Sequence, residues 1–188
     1  MLKKVIVTGS SGMLGRVLCD RLAGQYQVFG LDLENRIGLA KFLKCDITRQ
    51  EEVDKTFSGV CPDIVIHAAA YTDVDGCEIN KEKAEAVNTQ GAINIAKAVR
   101  VSGAILFFIS TDYIFNGCKK TPYNEEDSPF PLNVYGKSKL DAERFIQVNL
   151  RKYFIIRTSW LYGSGGKNFV DTIISESRKE PILKVVND

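Results

Sequence analysis

The chain has 188 residues, 45% of them apolar and 26% charged, the balance of a globular protein able to bury one substantial core. Its 25 basic and 23 acidic side chains leave a net charge of +2, which gives no electrostatic case for a nucleic-acid partner or an acidic membrane surface. The longest apolar runs, such as Ala104 to Ile109, fall far short of a bilayer span, and Lys3 and Lys4 lead straight into a strand-like run without a signal-peptide core, so a soluble cytoplasmic chain with no membrane partner is expected.

In chain order, short apolar runs predict strands at residues 4–8, 27–31, 42–45, 63–67, 104–109, 153–157 and 182–186. Between them, helical spacing predicts helices over 12–23, 50–58, 81–101, 134–149 and 168–179. Strands that are apolar on both faces and separated by helices imply a parallel sheet covered on both sides, hence a doubly wound, Rossmann-type α/β domain. Residues 116–133 break the rhythm with three of the five prolines and the acidic run Glu125-Glu126-Asp127, and predict a long functional loop. The five cysteines (19, 45, 61, 77 and 118) form no C-x-x-C pair, and His67 is the single histidine. No disulfide framework and no metal site are expected.

The first strand runs into Thr8-Gly9-Ser10-Ser11-Gly12-Met13-Leu14-Gly15 and then a helix. Glycines at i, i+3 and i+6 permit a tight turn in which backbone approaches a pyrophosphate, and the helix start offers free N–H groups and the positive end of its dipole. Gly9, Ser11, Gly12, Met13, Leu14 and Gly15 are therefore candidate cofactor contacts. Asp32, closing the second strand about 20 residues on, is placed to accept hydrogen bonds from an adenosine ribose. A carboxylate there disfavours a 2′-phosphate, but Arg16 and Arg36 lie near enough in sequence to keep both NADPH and NADH open as cofactors.

Tyr135-Gly136-Lys137-Ser138-Lys139 supplies Tyr-x-x-x-Lys, whose ends share a helix face. An ammonium beside the phenol is expected to lower its pKa from about 10 towards physiological values, fitting Tyr135 for proton exchange with a carbonyl. Thr111, in Ser110-Thr111-Asp112-Tyr113 at the end of the fifth strand, is expected in the cleft, close to the reacting oxygen.

The G-x-x-G-x-x-G spacing resembles that of the extended short-chain dehydrogenase/reductase superfamily. The segments 68–75, 110–117, 133–140 and 157–163 (Arg157-Thr158-Ser159-Trp160-Leu161-Tyr162-Gly163) narrow the resemblance to the dTDP-4-dehydrorhamnose reductase family, along essentially the whole chain. The resemblance implies hydride transfer from NADPH or NADH to C4 of dTDP-4-keto-L-rhamnose, giving dTDP-L-rhamnose. It makes Tyr135 the proton donor, Lys139 the holder of the nicotinamide ribose and Thr111 the aid at the sugar carbonyl. Asp46 and Ile47 are implied as adenine contacts, and Ala68, Ala69 and Ala70, followed by Tyr71 and Thr72, as a small-residue turn against the cofactor. Val74, Asp112, Trp160 and Asn168, with Thr111 and Tyr135, are implied at the dTDP-sugar, while Asp73 and Asp75 read as turn residues. His67 stands where these reductases commonly carry Asn and is expected to be structural. The resemblance implies no metal site here, leaves a homodimer open, and makes residues 1–188 a dinucleotide-binding domain that stops before a smaller substrate domain. Two other readings share the glycine turn. One is another extended-family sugar-nucleotide epimerase, dehydratase or reductase; the other is a non-catalytic NADP-binding subunit like the β subunit of methionine adenosyltransferase.

Overall fold

Val5, Ile6 and Val7 are β-branched and apolar in succession, so the strand that holds them must be covered on both faces. Ile6 packs into one core cluster, whereas Val5 and Val7 pack into another on the opposite side. In the computed structural model, which describes residues 1–166, 168–179 and 182, this strand is β1 (Lys4–Thr8). It lies inside a parallel sheet with β2 (Gln27–Asp32), β3 (Phe42–Lys44), β4 (Ile64–His67), β5 (Ile105–Thr111) and β6 (Tyr153–Thr158), ordered β3-β2-β1-β4-β5-β6. The order grows outward from β1 in one direction and then from β4 in the other. A crevice therefore opens at the carboxyl ends of β1 and β4, where doubly wound sheets take their ligands. The expected strand 182–186 lies outside the described residues, apart from Ile182.

Helix α1 (Met13–Leu22) covers one face, with Leu18, Cys19 and Leu22 against Val5, Val7 and Val28. The opposite face is covered by α2 (Gln50–Val60), by the end of the long helical segment after β4, and by α6 (Val134–Asn149), through Val53, Phe57, Ile95, Val99 and Ile146. Each such apolar side chain contributes roughly 1.5–3 kcal/mol on burial. The sequence predicts a single helix at 81–101. The chain instead forms α3 (Val74–Ile79), α4 (Lys81–Ala84), a π-helical stretch Glu85–Gln90 and α5 (Gly91–Ser102). Helix α3 is too short for its apolar period to register. It starts because Asp73, read as a turn residue, caps it by accepting from Gly76 N–H at 3.0 Å.

Strand β5 runs two residues beyond its expected end because polar Ser110 and Thr111 still pair with Arg157 and Thr158 of β6. After a 3-10 turn at Asp112–Ile114 the chain remains irregular until α6. That loop is pinned by Phe115 stacked on Tyr123 at 4.2 Å and by Lys119 Nζ on Asp127 at 2.5 Å. Helix α7 (Phe169–Ser177) follows β6.

Candidate functional site

The turn after β1 is built by close backbone approach. Gly9 sits at φ +68°, and a Cβ there would lie 2.8 Å from the backbone nitrogen of Ala69. A Cβ on Gly15 would overlap the Gly9 carbonyl oxygen. No side chain caps the start of α1, so its first-turn N–H groups stay open to an anionic ligand. Asp32 shapes the same turn: its carboxylate accepts from Ser11 N–H at 2.9 Å and Leu33 N–H at 2.8 Å. The Ser11 hydroxyl donates to the Glu34 carbonyl at 2.6 Å.

At the other end of the crevice, Asn133 caps α6 by accepting from Gly136 N–H at 2.7 Å, which sets Tyr135 in the first turn. Lys139, one turn on, is buried to 2% exposure, and its Nζ lies 4.1 Å from the centre of the Phe108 ring. The expectation that Lys139 lowers the Tyr135 pKa is not met. Burial pushes the phenol up to about 12, against the lowering effect of the Thr111 hydroxyl, and also pushes Lys139 down to about 7 despite the Glu143 carboxylate. Desolvation is the largest influence on each group, because both are largely withdrawn from water. Tyr135 is therefore protonated at neutral pH. Thr111 Oγ1 donates to Asp112 at 3.1 Å and accepts from Tyr113 N–H at 3.2 Å, and Ser159 Oγ donates to the other Asp112 oxygen at 2.6 Å.

A cleft of about 730 Å³ joins the two ends. Gly9, Ser11, Gly12, Met13, Leu14, Gly15, Asp32, Asp46, Ile47, Ala68, Ala69, Ala70 and Thr72 line it, together with Val74, Thr111, Asp112, Tyr135, Lys139 and Trp160. Two expected residues do not. Tyr71 has its backbone N–H and carbonyl engaged by Asn88, at 2.7 and 3.1 Å, and its ring lies under Lys83. Asn168 is the N-cap of α7; its amide nitrogen donates to the carbonyls of Gly163 and Gly166, both at 3.0 Å, which ties it to its own loop. Arg36 lines the cleft, whereas the Arg16 guanidinium packs at Gly165.

Sequence patterns passed over three buried polar groups. Asn88, in the π-helical stretch, also donates to Ser138 Oγ at 3.1 Å and so ties the turn after β4 to α6. Glu143, 0% exposed, forms a two-pronged ion pair with Arg157. Thr8, also 0% exposed, bonds His67 Nδ1 at 2.6 Å and accepts from Ala69 N–H at 3.2 Å. The rise of Tyr-x-x-x-Lys into Glu143 at a further helical turn was a legible signal; the other two were not. All five cysteines are free, and no metal-binding cluster of His, Cys, Asp and Glu occurs among the described residues. Nor is any described helix long and apolar enough to cross a membrane.

His67 is neutral because burial first, then the Lys139 charge, pushes its pKa down to about 3. In the unfolded chain it titrates near 6.5, so between pH 6.5 and 3 the unfolded state binds a proton that the folded state refuses. His67 thus favours the fold above pH 6.5, and this contribution is lost as pH falls through that window. From pH 6.5 to 4.5 the loss should be roughly 2–3 kcal/mol. Urea unfolding at both pH values, with His67→Asn as comparison, measures it; an equally steep acid loss in the variant would place the cause elsewhere.

Fold and cleft together define a doubly wound α/β protein of the short-chain dehydrogenase/reductase kind, with a glycine turn and Tyr-x-x-x-Lys facing one crevice. More narrowly, the chain belongs to the RmlD substrate binding domain family, whose model matches residues 3–188. It is 42% identical over 187 residues to the spore coat polysaccharide biosynthesis protein SpsK of Bacillus subtilis, covering 98% of this chain and 62% of that one. It is 38% identical to the dTDP-4-dehydrorhamnose reductase of Aggregatibacter actinomycetemcomitans, covering 98% and 60%. Among solved structures it resembles the dTDP-4-dehydrorhamnose reductase of Bacillus anthracis in complex with NADP, with a TM-score of 0.88 and 40% identity over 96% of this chain and 61% of that one. The chain spans about 60% of the length of the curated relatives it matches.

Proposed function

We propose that the chain carries the nucleotide site and the proton-transferring groups of an NAD(P)H-dependent dTDP-4-dehydrorhamnose reductase. The observation that carries this reading is the single cleft that brings the glycine turn and Asp32 to one end and Thr111, Tyr135 and Lys139 to the other. A dinucleotide fits the first end: a Cβ would fill the cradle at Gly9 and Gly15, and the α1 start is free of side-chain caps. A coenzyme bound there would supply the hydride. Tyr135 gives its hydroxyl proton to the oxygen of the reduced sugar carbonyl, and Thr111 steers that proton and the oxygen through its own hydroxyl. The Lys139 ammonium favours the phenolate left behind and is the group placed to hold the nicotinamide ribose, while Asp112 fixes Thr111. Asp32 takes the adenosine ribose hydroxyls with oxygens already oriented by Ser11 and Leu33, and Arg36 at the cleft wall supplies a cation for a 2′-phosphate. We assign this step of polysaccharide-precursor synthesis to the cytoplasm, because it consumes a nucleotide sugar and a reduced coenzyme.

The relatives' additional length is the source of the remaining sugar contacts in this reading. Residues 1–188 alone should bind NADPH, yet consume it with dTDP-4-keto-L-rhamnose more slowly than a protein of the relatives' full length. Absorbance of the reduced coenzyme reads turnover, and fluorescence titration reads binding. Absence of NADPH and NADH binding defeats the reductase reading; equal turnover numbers defeat the division of labour.

A further inference from the structure

The proposed reaction uses Lys139 as a cation, yet nothing in the cleft itself keeps it one. Its Nζ faces the Phe108 ring of β5, it has no hydrogen-bond acceptor among the described residues, and burial disfavours its charge. The groups that face it are few. From β4 comes His67, which is neutral; from its own helix come Tyr135, one turn before, and Glu143, one turn after. Glu143 is fully buried and takes no part in the chemistry assigned above. Arg157 of β6 grips it through Nε at 3.2 Å and a terminal nitrogen at 2.7 Å, one nitrogen to each carboxylate oxygen. The guanidinium also lies 5.3 Å from the centre of the Phe115 ring, at the root of the long loop.

A buried carboxylate gripped at both oxygens is fixed in orientation, and this one stands one helical turn from Lys139. We infer that Glu143, clamped by Arg157, is a positioning residue that sets the charge and seat of the Lys139 side chain, and through it the proton transfer at Tyr135. Arg157, held over Phe115, does not cancel the effect: Glu143 is the charged group that acts on Lys139. The inference rests on the proposed function only for the use made of the Lys139 charge; the coupling itself belongs to the chain without any ligand.

The test is a titration of the chain labelled with ¹³C at the lysine ε-carbons, the Lys139 resonance being identified by its loss in Lys139→Arg. Glu143→Gln keeps the shape and should lower the Lys139 midpoint by about one pH unit or more. Glu143→Asp should recover part of that shift. Asp141→Asn, which alters a solvent-facing pair with Arg144 on the same helix, should leave it in place. An unmoved midpoint in folded Glu143→Gln overturns the inference. If that variant fails to fold, Glu143→Met combined with Arg157→Met removes both buried charges, and the same lowered midpoint is expected. In the unaltered chain the Glu143 carboxyl carbon should register a step at the Lys139 midpoint, and its absence also overturns the inference. NADPH binding with an unmoved midpoint would leave the reductase reading standing alone. A lowered midpoint without NADPH binding would do the reverse.

Discussion

On the proposed reduction, Tyr135→Phe lowers turnover about 10²–10⁴-fold, the usual contribution of a positioned proton donor. The substitution removes one oxygen and little else. The Tyr135 ring stands edge-on to Tyr113, with centroids 5.8 Å apart, and a phenyl ring keeps that contact. Because burial holds the phenol protonated up to about pH 12, the hydroxyl is a donor over the whole working range, and no general base need act first. The glycine turn lies at the other end of the cleft, so NADPH affinity should change little. Steady-state turnover and a fluorescence titration on the same preparation separate the two effects. Unchanged turnover would remove Tyr135 from the reaction.

The parts of the molecule legible in the sequence are those that repeat or that sit next to one another along the chain. Val5-Ile6-Val7 announces a strand covered on both faces, Gly9-Gly12-Gly15 a turn without β-carbons, and Tyr135 with Lys139 a shared helix face. Each is a local rule, and the structure places these residues in β1, the turn after it and α6. What the sequence could not disclose is pairing between distant polar groups. Asn88 with Tyr71 and Ser138, His67 with Thr8, and Glu143 with Arg157 join positions that only the folded sheet brings together. The same reason explains why the Tyr135 pKa is raised and not lowered. A helical wheel shows that Lys139 is one turn away, but not that burial is the largest influence on the phenol. Tyr71 and Asn168 do not line the cleft for a related reason: they are engaged by Asn88 and by the carbonyls of Gly163 and Gly166.

Arg157→Ala should destabilise the chain by about 3 kcal/mol, near the lower end of the cost of stripping one partner from a buried ion pair. The full cost applies when the remaining charge is sealed off and alone. Glu143 is sealed off, its side chain 1% exposed against 20% for Arg157, but it is not alone, since Lys139 stands one helical turn away. That second cation offsets part of the loss, and the missing packing of the guanidinium on Phe115 adds to it. Replacing both partners by methionine removes the stranded carboxylate as well, and should recover most of the stability although it deletes more native contacts. Urea unfolding of the two variants at pH 7 decides between charge and shape. If the double substitution is as unstable as Arg157→Ala, the single loss comes from the cavity left between α6, β6 and the loop root, and not from an unpaired carboxylate.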